Sequence, residues 1–538
     1  MLCCIFLLSQ ATLAQSASDT AGYVGSDACA ACHAEISRAY FKTAMGNASG
    51  KVEAGAAKQP KSGSFRHPLS ETQYRLQSDT EGLSLSYSKT PKTGEPPISG
   101  TRRLAYYIGS GTHARGYIYR YSGMLFQAPV AYYTNRQQWD MAPGYETEHS
   151  IFLGRQIEQP CLDCHASGRA AQEPFSEGAV SCERCHGPGS AHIAKFTPHH
   201  EGAPLGILNP AKLHPMLRDS VCAQCHLTGE ARVQKQNASA FTTGDRLTDH
   251  VVPFIWSSPD PDSLKVIGHF EGLWLSRCKK MSGDKLWCGT CHDPHREPAG
   301  DEKPAYFKTK CLNCHTETSC MEKSEIRNAK ADNCVACHMP KRQAVDGLHT
   351  AFTDHSIRRS GAEQPFPQNG TPELIPFWPG TESPRDLALA YMDVASRTHQ
   401  ESDYLRAFSA LEKALPAAPD DPEVLSNLGY LNDLAGHPQD AVKLYERALH
   451  ADPRNTLALT NLGQHLATEG KTLGAIQLWQ DAVRINPGLG VPSLNLAYAF
   501  QQTGNMMKAQ QAIEDVLRFN PDSAKALALK KKAEQIPK

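Results

Sequence analysis

The pentad Cys-x-x-Cys-His occurs seven times in this 538-residue chain: at Cys29–His33, Cys161–His165, Cys182–His186, Cys222–His226, Cys288–His292, Cys311–His315 and Cys334–His338. Composition alone predicts about 0.03 such pentads, so the spacing is not accidental. Two thiols three residues apart, followed at once by an imidazole, match a c-type haem: the thiols meet the two vinyl groups of one porphyrin and the histidine faces the iron. Zinc ribbons and knuckles also pair cysteines at this spacing, but they need no histidine directly after every pair. The expectation is seven covalent haems c. They are held by Cys29, Cys32, Cys161, Cys164, Cys182, Cys185, Cys222, Cys225, Cys288, Cys291, Cys311, Cys314, Cys334 and Cys337. The proximal ligands are His33, His165, His186, His226, His292, His315 and His338.

The motifs use 14 of 18 cysteines and leave Cys3, Cys4, Cys278 and Cys320. A short apolar run, Leu2 to Leu8, precedes Thr12-Leu13-Ala14, which reads as a secretory signal over residues 1–14 and a periplasmic or extracellular destination. In that oxidising compartment Cys278 and Cys320 are expected to pair. No later segment reaches the roughly 18 apolar residues of a membrane span. With 55 basic and 56 acidic side chains, nothing points to nucleic acid.

Residues 34 to 160 form the longest gap between motifs. Alternating apolar and polar residues near Ser64–Leu69, Gln73–Leu76, Leu83–Tyr87, Gly116–Tyr121 and Leu125–Tyr132 predict a small antiparallel β insertion over about 62–134. Its tyrosines (Tyr106, Tyr107, Tyr117, Tyr119, Tyr121, Tyr132, Tyr133) are expected to pack on porphyrin faces. The motif region, 17–360, offers about 49 residues per motif, too few for a conventional core, so porphyrins must fill it. A Pro-rich linker is expected at 361–384. Beyond it, Asn427-Leu-Gly, Asn461-Leu-Gly and Asn495-Leu-Ala recur every 34 residues, as do Pro419, Pro453, Pro487 and Pro521. This resembles the tetratricopeptide repeat, with four repeats over about 388–523 in a domain at 385–538. The expected fold class is mixed: a haem-packed, loop- and helix-rich multihaem cytochrome with a β insertion, then an all-α solenoid.

An electron-carrying haem wants both axial positions filled. Twelve further histidines precede the repeats: His67, His113, His149, His192, His199, His200, His214, His250, His269, His295, His349 and His355. His269, ahead of Cys288, and His67 are among the candidates for the distal position.

The phrases Cys185-His186-Gly-Pro-Gly-Ser-Ala-His192, Cys291-His292-Asp-Pro-His295 and His349-Thr-Ala-Phe-Thr-Asp-His355 resemble the multihaem cytochrome superfamily that includes tetrahaem cytochromes of ammonia oxidisers and octahaem hydroxylamine oxidoreductases. The resemblance implies that a histidine shortly after one motif ligates a neighbouring haem, and it selects His192, His295, His349 and His355. The opening Tyr23 to Glu35 is similar too. Where relatives often carry a histidine some twelve residues past the first motif, this chain has Met45, a methionine that can ligate iron.

The leading expectation is an exported heptahaem electron carrier, docked to a redox partner protein through the repeat groove. The alternative is a multihaem oxidoreductase that reduces small nitrogen or sulfur oxyanions at an open-site haem. On the first reading the repeats fold as a separate module, and a chain ending near Ser360 keeps its haems.

Overall fold

The computed structural model describes residues 22–53, 60–91, 97–165, 175, 180–196, 206–258, 263–358 and 371–534. The expected signal at 1–14, with Cys3 and Cys4, lies outside the described residues, as do His199, His200, Pro365 and Pro367.

Eight strands follow the first motif: β1 Ser49–Lys51, β2 Gly63–Arg66, β3 Gln73–Asp79, β4 Gly82–Lys89, β5 Ile98–Ile108, β6 Ala114–Tyr121, β7 Met124–Tyr133 and β8 Gln138–Met141. From β2 to β8 they run as an antiparallel meander, with β1 pairing β5. Ser122 and Gly123 both take positive φ (48° and 79°) in the two-residue turn between β6 and β7, the backbone that matches the twist of a hairpin. The sheet nearly closes on itself, because the Trp139 indole of β8 donates to the Lys61 carbonyl ahead of β2 at 2.9 Å. It is wider than the expected 62–134. β1, β5 and β8 add to the strands that alternation predicts, and His67 to Leu69 form a turn instead of extending β2.

The tyrosines correct an expectation. Tyr117, Tyr119 and Tyr133 are buried among Leu76, Leu85 and Phe126, so they build the sheet's own core. Their hydroxyls are served internally where bonds are seen: Tyr119 donates to the Leu153 carbonyl at 2.5 Å and Tyr133 to that of Met141 at 2.8 Å. Tyr106 alone of this set turns toward the second motif, its ring 4.9 Å from that of Phe175 and tilted 42° to it, in a cluster that reaches Leu162.

A second sheet joins β9 Ala231–Gln234, β10 Val251–Trp256 and, beyond the hairpin of β11 Lys341–Gln343 with β12 Ala351–Thr353, β13 Leu374–Pro376. β13 lies within the expected linker. Its second half is therefore no free spacer: Leu374, Phe377 and Trp378 are buried, the last two against Phe270 and Leu247. Proline is tolerated here because β13 is an edge strand.

Helices Pro384–Thr398/Glu401–Ala414, Pro422–Leu434/Pro438–Ala451, Thr456–Thr468/Thr472–Ile485 and Gly490–Gln502/Met506–Phe519 form the four repeats, and Ala524–Glu534 closes them. Ser383 caps the first helix in a capping box with Asp386, so the solenoid begins four residues before the expected 388. Gly429 and Gly463 sit under the rings of Tyr445 and Trp479, where a Cβ would stand 2.7 Å and 2.5 Å from ring atoms.

Both ends of the solenoid are tied to the motif-bearing half. At the start, Arg385 donates to the Gln234 carbonyl (2.8 Å), Lys235 pairs with Asp386 (2.9 Å), and Val233, Val252 and Phe254 share one core with Ala388, Leu389 and Met392. At the far end, Leu153 N–H donates to the Phe519 carbonyl (2.8 Å), while Asp522 accepts from Ile151 N–H (2.8 Å) and pairs with Lys89 (2.5 Å). Asp522 therefore ties the sheet down, and Ser523 is the residue whose hydroxyl meets Ala526 N–H in the closing helix. No helix among the described residues is long and apolar enough to cross a membrane.

Candidate haem sites

Each pentad closes on a helical turn. His33, His186, His292 and His315 donate their backbone N–H to the carbonyl of their own first cysteine at 2.9 to 3.1 Å. Such a turn sets the two thiols, three residues apart, on one face. The surrounding chain supplies little core of its own: helices Lys303–Leu312, Ser324–Ala329 and Cys334–His338 bury no residue.

Histidines from separate segments meet, His269 lying 4.8 Å from His355 as well as near His226. His33 and His192 stack with ring centroids 6.3 Å apart and planes 17° from parallel; His186 and His295 stack at 5.9 Å and 14°. His292 faces His355 at 6.2 Å, and His226 meets His269 edge-on at 5.7 Å. A metal–imidazole bond of about 2 Å on each side, plus about 1 Å from ring nitrogen to ring centre, sets two trans imidazoles about 6 Å apart. The three stacked pairs have that separation, and the fourth approaches it.

Tautomers are set by the backbone. His186 Nδ1 lies 2.7 Å from the Leu208 carbonyl, His338 Nδ1 2.8 Å from that of Arg358, and His355 Nδ1 2.9 Å from that of Thr353. An Nδ1–H bonded this way leaves the Nε2 lone pair for a metal. Burial, reinforced by neighbouring imidazoles, pushes His269 down to about 3 and His292 to about 4, which keeps both rings neutral.

The motifs also touch through sulfur. The Cys164 thiol is influenced by Cys225, that of Cys222 by Cys288 and that of Cys311 by Cys334. The neighbouring Cys225 thiol holds Cys164 down, and burial pushes Cys311 up to about 11. Adding the histidine pairs, the first motif reaches the third, the second the fourth and the sixth the seventh. The third, fourth and seventh each meet the fifth, through His295, Cys288 and His292.

One functional residue carries no sequence signal. Glu183, inside the third motif and 2% exposed, accepts Val24 N–H and Gly25 N–H at 2.9 Å and Gly189 N–H at 2.8 Å. It fixes the segment ahead of Cys29 onto the turn that leads to His192. His113, one of the twelve further histidines, has its Nδ1 buried without a partner, and its ring packs 4.5 Å from Phe352.

Two selected histidines stand elsewhere. His67 is 3% exposed with Nδ1 on Ser70 (2.9 Å) and Nε2 on the Glu146 carbonyl (3.1 Å), so both nitrogens are spent inside the β half. His349 bonds Asp140 at 2.8 Å and packs edge-on against Tyr133. Met45 lies half-buried in a short 3-10 turn, where Ala44 N–H donates to Glu297 at 2.8 Å. Cys278 and Cys320 are unpaired: Cys278 is half-buried in the helix Arg277–Ser282, its thiol pushed up by burial, and Cys320 is exposed after the turn Glu317–Ser319.

The family model of cytochrome c554 and c-prime matches residues 131–187, and that of the tetratricopeptide repeat matches residues 434–489. Among solved structures, a tetratricopeptide protein described as YrrB, with an unusual peptide-binding site, shares 25% identity over 27% of this chain and 74% of its own (TM-score 0.23). MamA shares 23% over 28% and 86% (TM-score 0.24). The first repeat domain of Spaghetti bound to an HSP90 peptide shares 23% over 21% and 91% (TM-score 0.21). The cytochrome match implies covalently bound haem c, and the residues fit that group: free paired thiols on helical turns, imidazoles about 6 Å apart of which His269 and His292 are kept neutral by burial, and a stretch without a core of its own. The repeat match implies contact with other proteins.

Proposed function

We propose that the chain is an exported heptahaem c-type cytochrome that carries electrons along a three-armed array and engages a redox partner protein through its repeats. The observation that carries this reading is the set of four histidine pairs with centroids 5.7 to 6.3 Å apart. Haem c, when bound, supplies a one-electron Fe(III)/Fe(II) couple at each motif.

The chain's own residues do the rest. The fourteen motif cysteines would hold the haems through thioether bonds, and Cys164 beside Cys225, Cys222 beside Cys288 and Cys311 beside Cys334 would set neighbouring attachment points close together. His33 with His192, His186 with His295, His226 with His269 and His292 with His355 would hold the iron of their haems, each pair supplying two imidazoles. Two imidazoles held by packing, and at His186 and His355 by Nδ1 bonds to backbone carbonyls, would give a coordination shell that changes little between oxidation states. Met45 and His113 are the candidates for the remaining motifs. The oxidising side of a membrane, where covalent attachment takes place, is the destination that the segment 1–14 supports.

The test is protein matured in a host competent for c-type attachment. Intact mass should show seven haems and a chain cut near Ala14, and the ferric spectrum should be low-spin. Fewer haems overturn the count. Carbon monoxide binding to the native reduced protein, with turnover of nitrite, hydroxylamine or tetrathionate, supports the oxidoreductase alternative instead.

A further inference from the structure

The hairpin of β11 and β12 joins two histidines that belong to different motifs. β11 begins three residues after His338, the histidine of the seventh motif, and β12 ends two residues before His355, which lies 6.2 Å from His292 of the fifth. The strands pair from Lys341 with Thr353 to Gln343 with Ala351, and Asp354 N–H extends the ladder to the Pro340 carbonyl at 3.1 Å. Both histidines therefore stand at the open end of one short ribbon.

Beyond His355 the chain turns back onto the seventh motif. Arg358 N–H donates to the His338 carbonyl at 3.0 Å, and the Arg358 carbonyl lies 2.8 Å from His338 Nδ1. To reach that position the backbone takes φ 47° at Ile357, a left-handed conformation that a β-branched residue keeps only where its surroundings hold it there. The buried Asp354 carboxylate supplies the hold. Oδ1 accepts the Ser356 N–H at 2.9 Å and the Ser356 hydroxyl at 2.6 Å, and Oδ2 accepts from Arg342 of β11 at 3.1 Å. The Arg358 guanidinium lies 3.5 Å from the same Oδ2 and donates through Nε to the Ser356 hydroxyl at 2.8 Å. On the other side of Asp354, the Thr353 carbonyl takes His355 Nδ1 at 2.9 Å.

We propose that Asp354 is a positioning residue for two haems at once. Through the turn 354–358 it holds His355 beside His292 for the fifth haem, and through the Arg358 carbonyl it holds the ring of His338 for the seventh. The inference rests on the heptahaem reading. An imidazole whose Nδ1–H is bound to a carbonyl is the stronger donor to a metal, so the same turn that keeps one ligand in place strengthens the other. Without the carboxylate, Ser356, Arg342 and Arg358 lose their shared acceptor and the left-handed residue between them relaxes.

The experiment uses the full haem-loaded chain, with haem content read by intact mass and the haems followed by ferric electron paramagnetic resonance and spectroelectrochemical titration. Asp354→Ala should give one haem a high-spin fraction and move the midpoint of a second, still low-spin haem upward. Asp354→Asn, which keeps an oxygen for Ser356, should recover most of both signals. Ile357→Pro, which cannot take φ 47°, should disturb the same two haems with the carboxylate intact, whereas Ile357→Gly takes that φ freely and should match the native protein. If Asp354→Ala attaches fewer haems, the comparison of Ile357→Pro with Ile357→Gly decides by the same two signals. Disturbance of one haem alone, or of none, overturns the proposal. Fewer than seven haems in the native chain would count against the heptahaem reading itself, separately from these signals.

Discussion

Phe519, which ends the last paired helix of the solenoid, lays its ring 4.9 Å from that of Phe126 inside the β-sheet core. The contact is backed by the Leu153–Phe519 backbone bond and by Arg102, which donates to the Arg518 carbonyl at 2.6 Å. The repeats are therefore a brace fastened at both ends of the motif-bearing half. Phe519→Ala should cost about 3–5 kcal/mol, read as a lower melting temperature of the sheet. A chain ending near Ser360 also loses β13, Phe377 and Trp378, and is expected to melt lower and to mature with fewer haems. Full haem content and an unchanged melt in that truncation would return the solenoid to the status of a separate module.

The distal ligands divide by where their nitrogens go. His295→Ala should convert one haem from low-spin to high-spin and let the reduced protein bind carbon monoxide at that one centre, because only Ala would then face His186. His67→Ala and His349→Ala should leave the spin state of every haem unchanged. His67→Ala instead takes the partner from the Ser70 N–H and the Glu146 carbonyl, the Ser70 hydroxyl keeping its bond to Thr72, and should cost about 1–3 kcal/mol. Magnetic circular dichroism and a thermal melt separate the two classes, and a spin change in the His67 variant would contradict the placement.

The sequence made the attachment chemistry legible because cofactor shape dictates consecutive residues, and the repeats legible because their period is fixed at 34. Alternation revealed most of the strands but not β5, where Gly100 and the Arg102-Arg103 pair interrupt the apolar count. That Gly faces the Tyr87 ring, a packing reason that no local pattern states. The stretch from Leu374 to Trp378 was hidden by proline density, although its apolar run is the part that buries. Among the histidines, His192 and His295, close after a motif in sequence, lie beside the motif histidines His33 and His186. His349 does not lie beside one: a residue at φ 57° turns it toward Asp140, while His355, six residues on, goes to His292. Which motifs touch is a matter of long-range packing, and no spacing encodes it.

Within the solenoid, Gly463 is required by contact and not by backbone conformation. A methyl group there would stand 2.5 Å from the Trp479 indole nitrogen, which is held in place by its bond to the Thr460 carbonyl at 3.0 Å. Gly463→Ala is expected to destabilise by about 1–3 kcal/mol through overpacking, outweighing the roughly 1 kcal/mol that alanine gains over glycine in helix propensity. Circular dichroism melting of the full chain checks the sign, and stabilisation would show that the ring can move aside.

Glu183 gives the sharpest test of how the first motif is held. Its carboxylate takes three backbone N–H groups, from Val24, Gly25 and Gly189, with no basic side chain among those bonds. Hydrogen bonds to a charged acceptor are the stronger class, and leaving their donors buried without a partner adds a desolvation cost. Glu183→Ala should therefore cost on the order of 3 kcal/mol locally, concentrated at the junction between the first and third motifs. Because Gly189 leads directly into the helix Ser190–Phe196 that carries His192, the His33–His192 pair should loosen with it. The expected readout is a fraction of high-spin haem with the haem count unchanged, since Cys29 and Cys32 still attach. Glu183→Gln retains an acceptor oxygen and should recover most of the low-spin signal. If both variants keep the native spectrum, the first motif is anchored by something other than this carboxylate.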